Sequence, residues 1–135
     1  MTYEETQRLA RRTKARAKPR DEEHRLQAAC VRLFRLKYPR WRHLLFAVPN
    51  GGRRDAVTGA RLKAEGATAG VADLILFIPN RRHGGLAIEM KTPNGRQSKQ
   101  QREWQRMCEE AGNKYVLCRS AADFIREIDQ YFKDM

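Results

Sequence analysis

The chain has 135 residues, with 28 Lys and Arg against 16 Asp and Glu and a formal net charge of +12. That length suits one domain with its own hydrophobic core, and the basic excess selects polyanionic partners, nucleic acid foremost. No apolar run approaches a membrane span and the N-terminus lacks a signal-peptide core, so no membrane partner and a soluble, cytoplasmic location are expected.

Residues 1–20 carry Arg8, Arg11, Arg12, Lys14, Arg16, Lys18 and Arg20 against Glu4 and Glu5, with Pro19 near the end. This stretch reads as a mobile basic arm that gains order on DNA, a solvated tail being the plain alternative; residues 21–135 form the domain. A helix is expected from Asp21 to Lys37, with Leu26, Ala29, Cys30, Leu33 and Phe34 on one face. Glu23 shares that inward face, whereas Glu22 lies about a hundred degrees round the helix. An acid on a core-facing stripe points to something to bind, although a first-turn Glu can also cap its own helix. Gln27, one turn on, reaches the same cavity.

Tyr38-Pro39 ends that helix, and His43 to Val48 reads as a strand before the turn Pro49-Asn50-Gly51-Gly52. Arg53 and Arg54 follow the glycines directly. Glycine lets backbone N–H groups approach a phosphate, so Asn50, Arg53 and Arg54 make a candidate backbone clamp, with an ordinary surface turn as the rival. A short helix from Asp55 to Glu65 is expected to turn Val57, Ala60 and Ala64 inward, and Gly66 closes it.

The most informative stretch follows. Gly70 to Ile78 and Gly85 to Lys91 are short apolar runs joined by a loop from Pro79 to Gly84, which reads as a β-hairpin. Folding about Arg81 and Arg82 sets Asp73 across from Glu89. Alternation then points Glu89 and Lys91 one way, and Ile88 and Met90 the other. Two carboxylates and an ammonium meet at one end of a buried sheet. Carboxylates that close repel unless one takes a proton or a cation sits between them, so a divalent metal is the productive solution. The bland reading is a strand-borne Glu-x-Lys ion pair on a solvated face.

Thr92-Pro93-Asn94-Gly95 takes the chain off the sheet, and Ser98 with Gln101 forms a capping box for a helix to about Ala111. Gln101, Trp104, Met107 and Cys108 share its face; Trp104 reads as core rather than a base-stacking platform. Gln101 puts a polar side chain near the site. Lys114 to Arg119 is a last strand. Ser120 opens a final helix whose stripe is Phe124, Ile128, Tyr131 and Phe132. Cys30, Cys108 and Cys118 each fall within an apolar pattern without zinc spacing and read as buried free thiols. His24, His43 and His83 are scattered, as surface or half-buried residues are. The fold class is therefore α/β, a mixed central β-sheet flanked by helices.

Taken in order, Glu23-x-x-Leu26-Gln27, Pro49-Asn50-Gly51-Gly52, Gly70-Val71-Ala72-Asp73-Leu74, Glu89-Met90-Lys91 and Gln101-x-x-Trp104 resemble the virus-type replication-repair nuclease (VRR-NUC) domain. That domain is a branch of the PD-(D/E)xK nuclease superfamily. One departure is Ala72, where the family usually has Pro before the metal-binding Asp. The resemblance implies a restriction-endonuclease-like core and a nuclease that hydrolyses phosphodiester bonds in branched DNA. It implies Mg²⁺ or Mn²⁺ on Asp73, Glu89 and the Met90 carbonyl, with Glu23 joining directly or through water. Lys91 would orient or help deprotonate the attacking water, and Gln101 would support the site. It further implies a homodimer facing Holliday-junction-like or flap substrates, with Arg53, Lys63, Arg81, Arg82 and the basic arm on phosphates. Hard cations with oxygen ligands agree with that chemistry. The competing readings are a DNA-binding module on a nuclease fold that has lost activity, and an RNA-directed or restriction-like enzyme.

Overall fold

The computed structural model describes residues 2–6, 19–49 and 56–135, the backbone alone at residues 19, 20 and 56. A long helix α1 (Pro19–Lys37) precedes a 3₁₀ turn at Pro39–Trp41 and strand β1 (Leu45–Ala47). Helix α2 (Ala56–Ala64), strands β2 (Leu74–Leu76) and β3 (Leu86–Met90), helix α3 (Lys99–Glu110), strand β4 (Lys114–Cys118) and helix α4 (Ala121–Lys133) follow. The sheet order is β1-β2-β3-β4, antiparallel between β1 and β2 and between β2 and β3, parallel between β3 and β4. It is the mixed sheet between helices that the pattern predicts. Among the described residues no helix is long and apolar enough to cross a membrane.

All of β3 is buried, because helices cover both faces of the sheet. Leu86, Ile88 and Met90 join Leu74 and Leu76 on one face against Cys30 and Phe34 of α1 and Phe124, Ile128 and Tyr131 of α4. Ala87 lies on the other face with Ala72, Tyr115 and Cys108, and Ile75 and Trp104 pack on that cluster. Trp104 is thus core, its ring 6.2 Å from that of Tyr115. Small residues on this second face let α3 approach closely. Ala72, the departure from the expected Pro, is fully buried there.

The strands are shorter than expected: β1 has three residues rather than the run from His43 to Val48, and β2 three rather than nine. Isolated bonds continue the pairing past their ends, from Val48 N to Asp73 O (2.9 Å) and from Phe77 N to Leu44 O (2.8 Å). The inward face expected for α2 is not found. Val57 is 71% exposed and Ala60 and Ala64 are also exposed. A stripe of one Val and two Ala buries too little apolar area to hold a helix face against the core. Two single residues are also misplaced, Leu33 (39% exposed) and Met107 (53% exposed). On α1 the partly buried Val31 packs on the core instead, and just past the helix end the Tyr38 ring lies 4.6 Å from that of Phe132 of α4, tilted by 45°.

The helix ends follow the sequence. Ser98 accepts from Gln101 N and Gln101 Oε1 accepts from Ser98 N, completing the capping box. Ser120 caps α4 by accepting from Asp123 N. Gly66, with φ +107°, closes α2 as its N–H bonds Lys63 O. The three cysteines are free and buried, and burial pushes the Cys30 thiol up to about 11 and Cys118 to about 12.

Gly70 seats the entry to β2 against the start of α3. Its φ is +86°, and a Cβ there would stand 2.4 Å from the Gln100 carbonyl oxygen, a backbone atom that cannot step aside. Gly70→Ala is expected to cost about 2–4 kcal/mol in urea or guanidinium unfolding, from the clash added to the strained φ. Gly66→Ala, with nothing within 4 Å of its added methyl, is expected to cost only about 1 kcal/mol.

Candidate active site

Asp73 stands one residue before β2, and the pairs Leu74↔Ile88 and Leu76↔Leu86 extend to set it opposite Glu89 at the C-terminal end of β3. Its Oδ2 accepts from the backbone N–H of Met90 at 2.7 Å, which pins the carboxylate at the strand end. Glu89 is 1% exposed, the only buried charged residue among those described. Gln101 Nε2 donates to its Oε1 (3.1 Å) and Tyr115 OH to its Oε2 (3.2 Å). Burial, and then the Asp73 carboxyl close enough to share a proton, push the Glu89 carboxyl from its ordinary 4.5 to about 8. Lys91 Nζ, with its side chain 12% exposed, lies 4.0 Å from Glu89 Oε1 and opposes that shift without cancelling it.

Glu23 joins from α1. It is half-buried, and burial raises its carboxyl above the ordinary range, with Lys91 and the Thr92 N–H pulling down and Asp73 adding to the rise. Glu23 therefore feels both halves of the hairpin, as its place on the inward face of α1 suggested. Among the described residues, however, no three His, Cys, Asp or Glu side chains close into one metal-sized cage. The structure brings Asp73 and Glu89 together as a pair, with Glu23 near enough to feel Asp73 and Lys91.

The donors of this pair are hard oxygens. Mg²⁺ is held by one or two carboxylates and keeps several waters, so Asp73 and Glu89 suit it or Mn²⁺ without a third acid. A buried carboxyl beside a second one favours a proton or a cation, and a hard divalent cation is one that this donor set can hold.

Gln101 does two jobs at once: its Oε1 completes the α3 capping box and its Nε2 holds Glu89. Three participants were not foreseen. Tyr115 arises from β4, which pairs in parallel with β3 so that Ala87 faces Tyr115; a buried Tyr needs a partner for its hydroxyl, and that was the one signal available. Gln97 Nε2 donates to the Tyr115 oxygen at 3.1 Å, tying the loop after Lys91 to the same chain of bonds. Arg119 Nη1 donates to the carbonyls of Thr92 and Gly95, each at 2.7 Å, and to Pro93 at 3.2 Å, fixing the turn that follows Lys91.

The expected phosphate contacts are dispersed. Asn50, Arg53 and Arg54 lie outside the described residues. Lys63 is exposed on α2. Arg81 and Arg82 sit in the β2–β3 loop, at the end of the hairpin away from Asp73 and Glu89, separated by about 13 Å of strand. There Arg81 N bonds Asp134 O (2.7 Å) and the Arg82 guanidinium lies 4.0 Å from the Asp134 carboxylate. They do not converge with the carboxylate pair.

A mixed sheet with α1 and α4 on one face and α3 on the other, carrying an Asp, a Glu and a Lys at one strand end, defines an α/β domain of the PD-(D/E)xK type. The model of the VRR-NUC domain matches residues 21–122, and the chain belongs to that family of nuclease domains. A solved structure titled "VRR_NUC domain protein" superposes with a TM-score of 0.73 at 24% identity, covering 84% of this chain and 89% of that one. No curated protein matches the chain significantly.

Two measurements check this geometry. A carboxyl raised in the folded state stabilises the fold fully below its unfolded value and loses that contribution as pH climbs through its folded value. Glu89 therefore costs the metal-free protein stability between about pH 4.5 and 8. With EDTA present, Glu89→Gln is expected to raise the melting temperature more at pH 8.5 than at pH 5, by about 4 °C, near 1 kcal/mol for a domain of this size. Tyr115→Phe keeps the ring and removes one donor from Glu89. It is expected to retain the fold while weakening Mn²⁺ binding about tenfold by calorimetry, the range for losing a ligand's hydrogen-bond partner.

Proposed function

We propose that this protein is a metal-dependent endonuclease that hydrolyses phosphodiester bonds in branched DNA, working as a homodimer. The observation that carries the reading is the meeting of Asp73 and the buried Glu89, with Lys91 at 4.0 Å, at the sheet end where Asp73 and Met90 line a cleft. Membership of a nuclease family and the net charge of +12 support it.

Asp73, Glu89 and the Met90 carbonyl would hold Mg²⁺ or Mn²⁺, and Glu23 would reach it through water. When bound, the cation supplies charge neutralisation at the phosphate and a bound water of lowered pKa. Gln101 and Tyr115 hold the Glu89 carboxyl in one orientation, so its remaining lone pairs would be available to the cation without reorganisation. Lys91 is a fixed ammonium beside them, placed to orient the attacking water and to offset charge growing on the phosphoryl oxygens. In-line attack at phosphorus would leave a 3′-hydroxyl and a 5′-phosphate. Two copies about a two-fold axis would offer paired sites to a four-way junction.

The test is a cleavage panel of labelled four-way junctions, flaps, splayed arms and linear duplex with Mg²⁺, alongside light scattering for the dimer. Wild type is expected to cut branched forms in preference to linear duplex. Asp73→Asn and Glu89→Gln should lose cleavage while retaining binding, and Lys91→Ala should slow it about 10²–10³-fold, the usual cost of one transition-state electrostatic contact. Equal binding by all proteins with no cutting by any would leave a DNA-binding module in place of an enzyme.

A further inference from the structure

Asp73 opens onto a cleft of about 830 Å³ between α1 and the β1 edge of the sheet. Glu23 and Asp73 line its near end, and Arg32, Arg35 and Arg42 line it further out. At about 1.5 Å per helical residue, Arg32 and Arg35 lie roughly 14 and 18 Å along α1 from Glu23. All three arginines are exposed. None has an ion pair among the described residues, although Lys37, Lys114, Arg106 and Arg126 each have a carboxylate within 4 Å. Three guanidiniums without an ion pair, two on α1 and Arg42 before β1, make a site for successive phosphates.

The rest of the lining narrows the ligand. Leu36 is 75% exposed, and it and Val48 face the same cleft. A duplex turns sugar and phosphate outward and keeps its base faces stacked within, so it gains little from exposed aliphatic side chains. An unpaired strand offers both phosphates for the arginines and free base faces for the apolar wall.

We propose that this cleft binds an unpaired DNA strand running out from the scissile phosphate, with its phosphates on Arg32, Arg35 and Arg42 and its bases over Leu36 and Val48. The word scissile rests on the nuclease reading above; the binding does not. At about 3.4 Å per phosphate of a stacked strand, the reach to Arg35 corresponds to roughly five nucleotides. The enzyme would thereby favour branches with a single-stranded arm at least that long.

The test is fluorescence anisotropy with Ca²⁺ in place of Mg²⁺, comparing blunt duplex with the same duplex bearing unpaired tails of graded length on either strand. Wild type is expected to bind a tailed duplex at least about tenfold tighter, with the gain levelling off near five nucleotides. Arg32→Ala, Arg35→Ala and Arg42→Ala should each lower the tailed-to-blunt ratio and reduce the salt slope by about 0.7 on the tailed ligand. Arg35→Lys should recover part of it, and Leu36→Asp should lower the ratio with every arginine in place. No preference for tails in wild type, or arginine variants that weaken blunt and tailed ligands by one common factor, would overturn the proposal. Tail preference that survives alongside an absence of cutting in Mg²⁺ supports the cleft and removes only the nuclease reading.

Discussion

A carboxyl group taken out of water must give up its charge or find an opposite one nearby, and Glu89, 1% exposed, is held under that constraint. Lys91 at 4.0 Å is too distant to satisfy it alone, and Asp73 beside it makes the demand sharper. The surrounding polar groups answer it in part: Gln101 and Tyr115 each donate to one of its oxygens. What remains is an appetite for a proton or a cation, located at one end of the hairpin. A hydrophobic residue in this place would pack with less difficulty. The carboxyl is better explained by binding than by folding.

The same few residues hold the fold and the site. Gln101 closes the first turn of α3 and holds Glu89, so helix capping and ligand orientation cannot vary independently. Gly70 brings the entry to β2 against the backbone of α3, which sets how far Asp73 stands from that helix. Arg119 fastens the turn after Lys91 through three carbonyls, and its own N–H bonds Asp123, whose carboxyl it holds below the ordinary range. α4, which lies almost wholly beyond the matched residues 21–122, completes the larger core through Phe124, Ile128 and Tyr131. The site is thus positioned by rigid elements on both faces of one sheet, the arrangement that keeps catalytic geometry within tight tolerance.

Charge is divided in the same economical way. The net +12 is spread over the chain, yet Arg32 and Arg35 of α1 line the same cleft as Glu23 and Gln27. The acids hold the near end and the cations the far end. About three turns of helix keep the two signs of charge in one cleft from cancelling each other.

Local pattern alone established much of this protein. Strand alternation and a short loop put Asp73 across from Glu89, with Lys91 on the side of Glu89. Capping chemistry located the starts of α3 and α4, and helical spacing turned Glu23 inward. These hold because each depends on residues near one another in the chain, where backbone geometry leaves few choices. The tertiary structure decided the rest. Tyr115 reaches Glu89 only because β4 pairs in parallel beside β3, a contact no local period encodes. Arg81 and Arg82 are carried to the far end of the hairpin, and Val57 is left in solvent by a helix too weakly apolar to be held. Which arginines share a cleft with Glu23 and Asp73 is a matter of how layers pack. Distances between layers depend on side-chain volumes across the whole core and not on the order of residues within any one element.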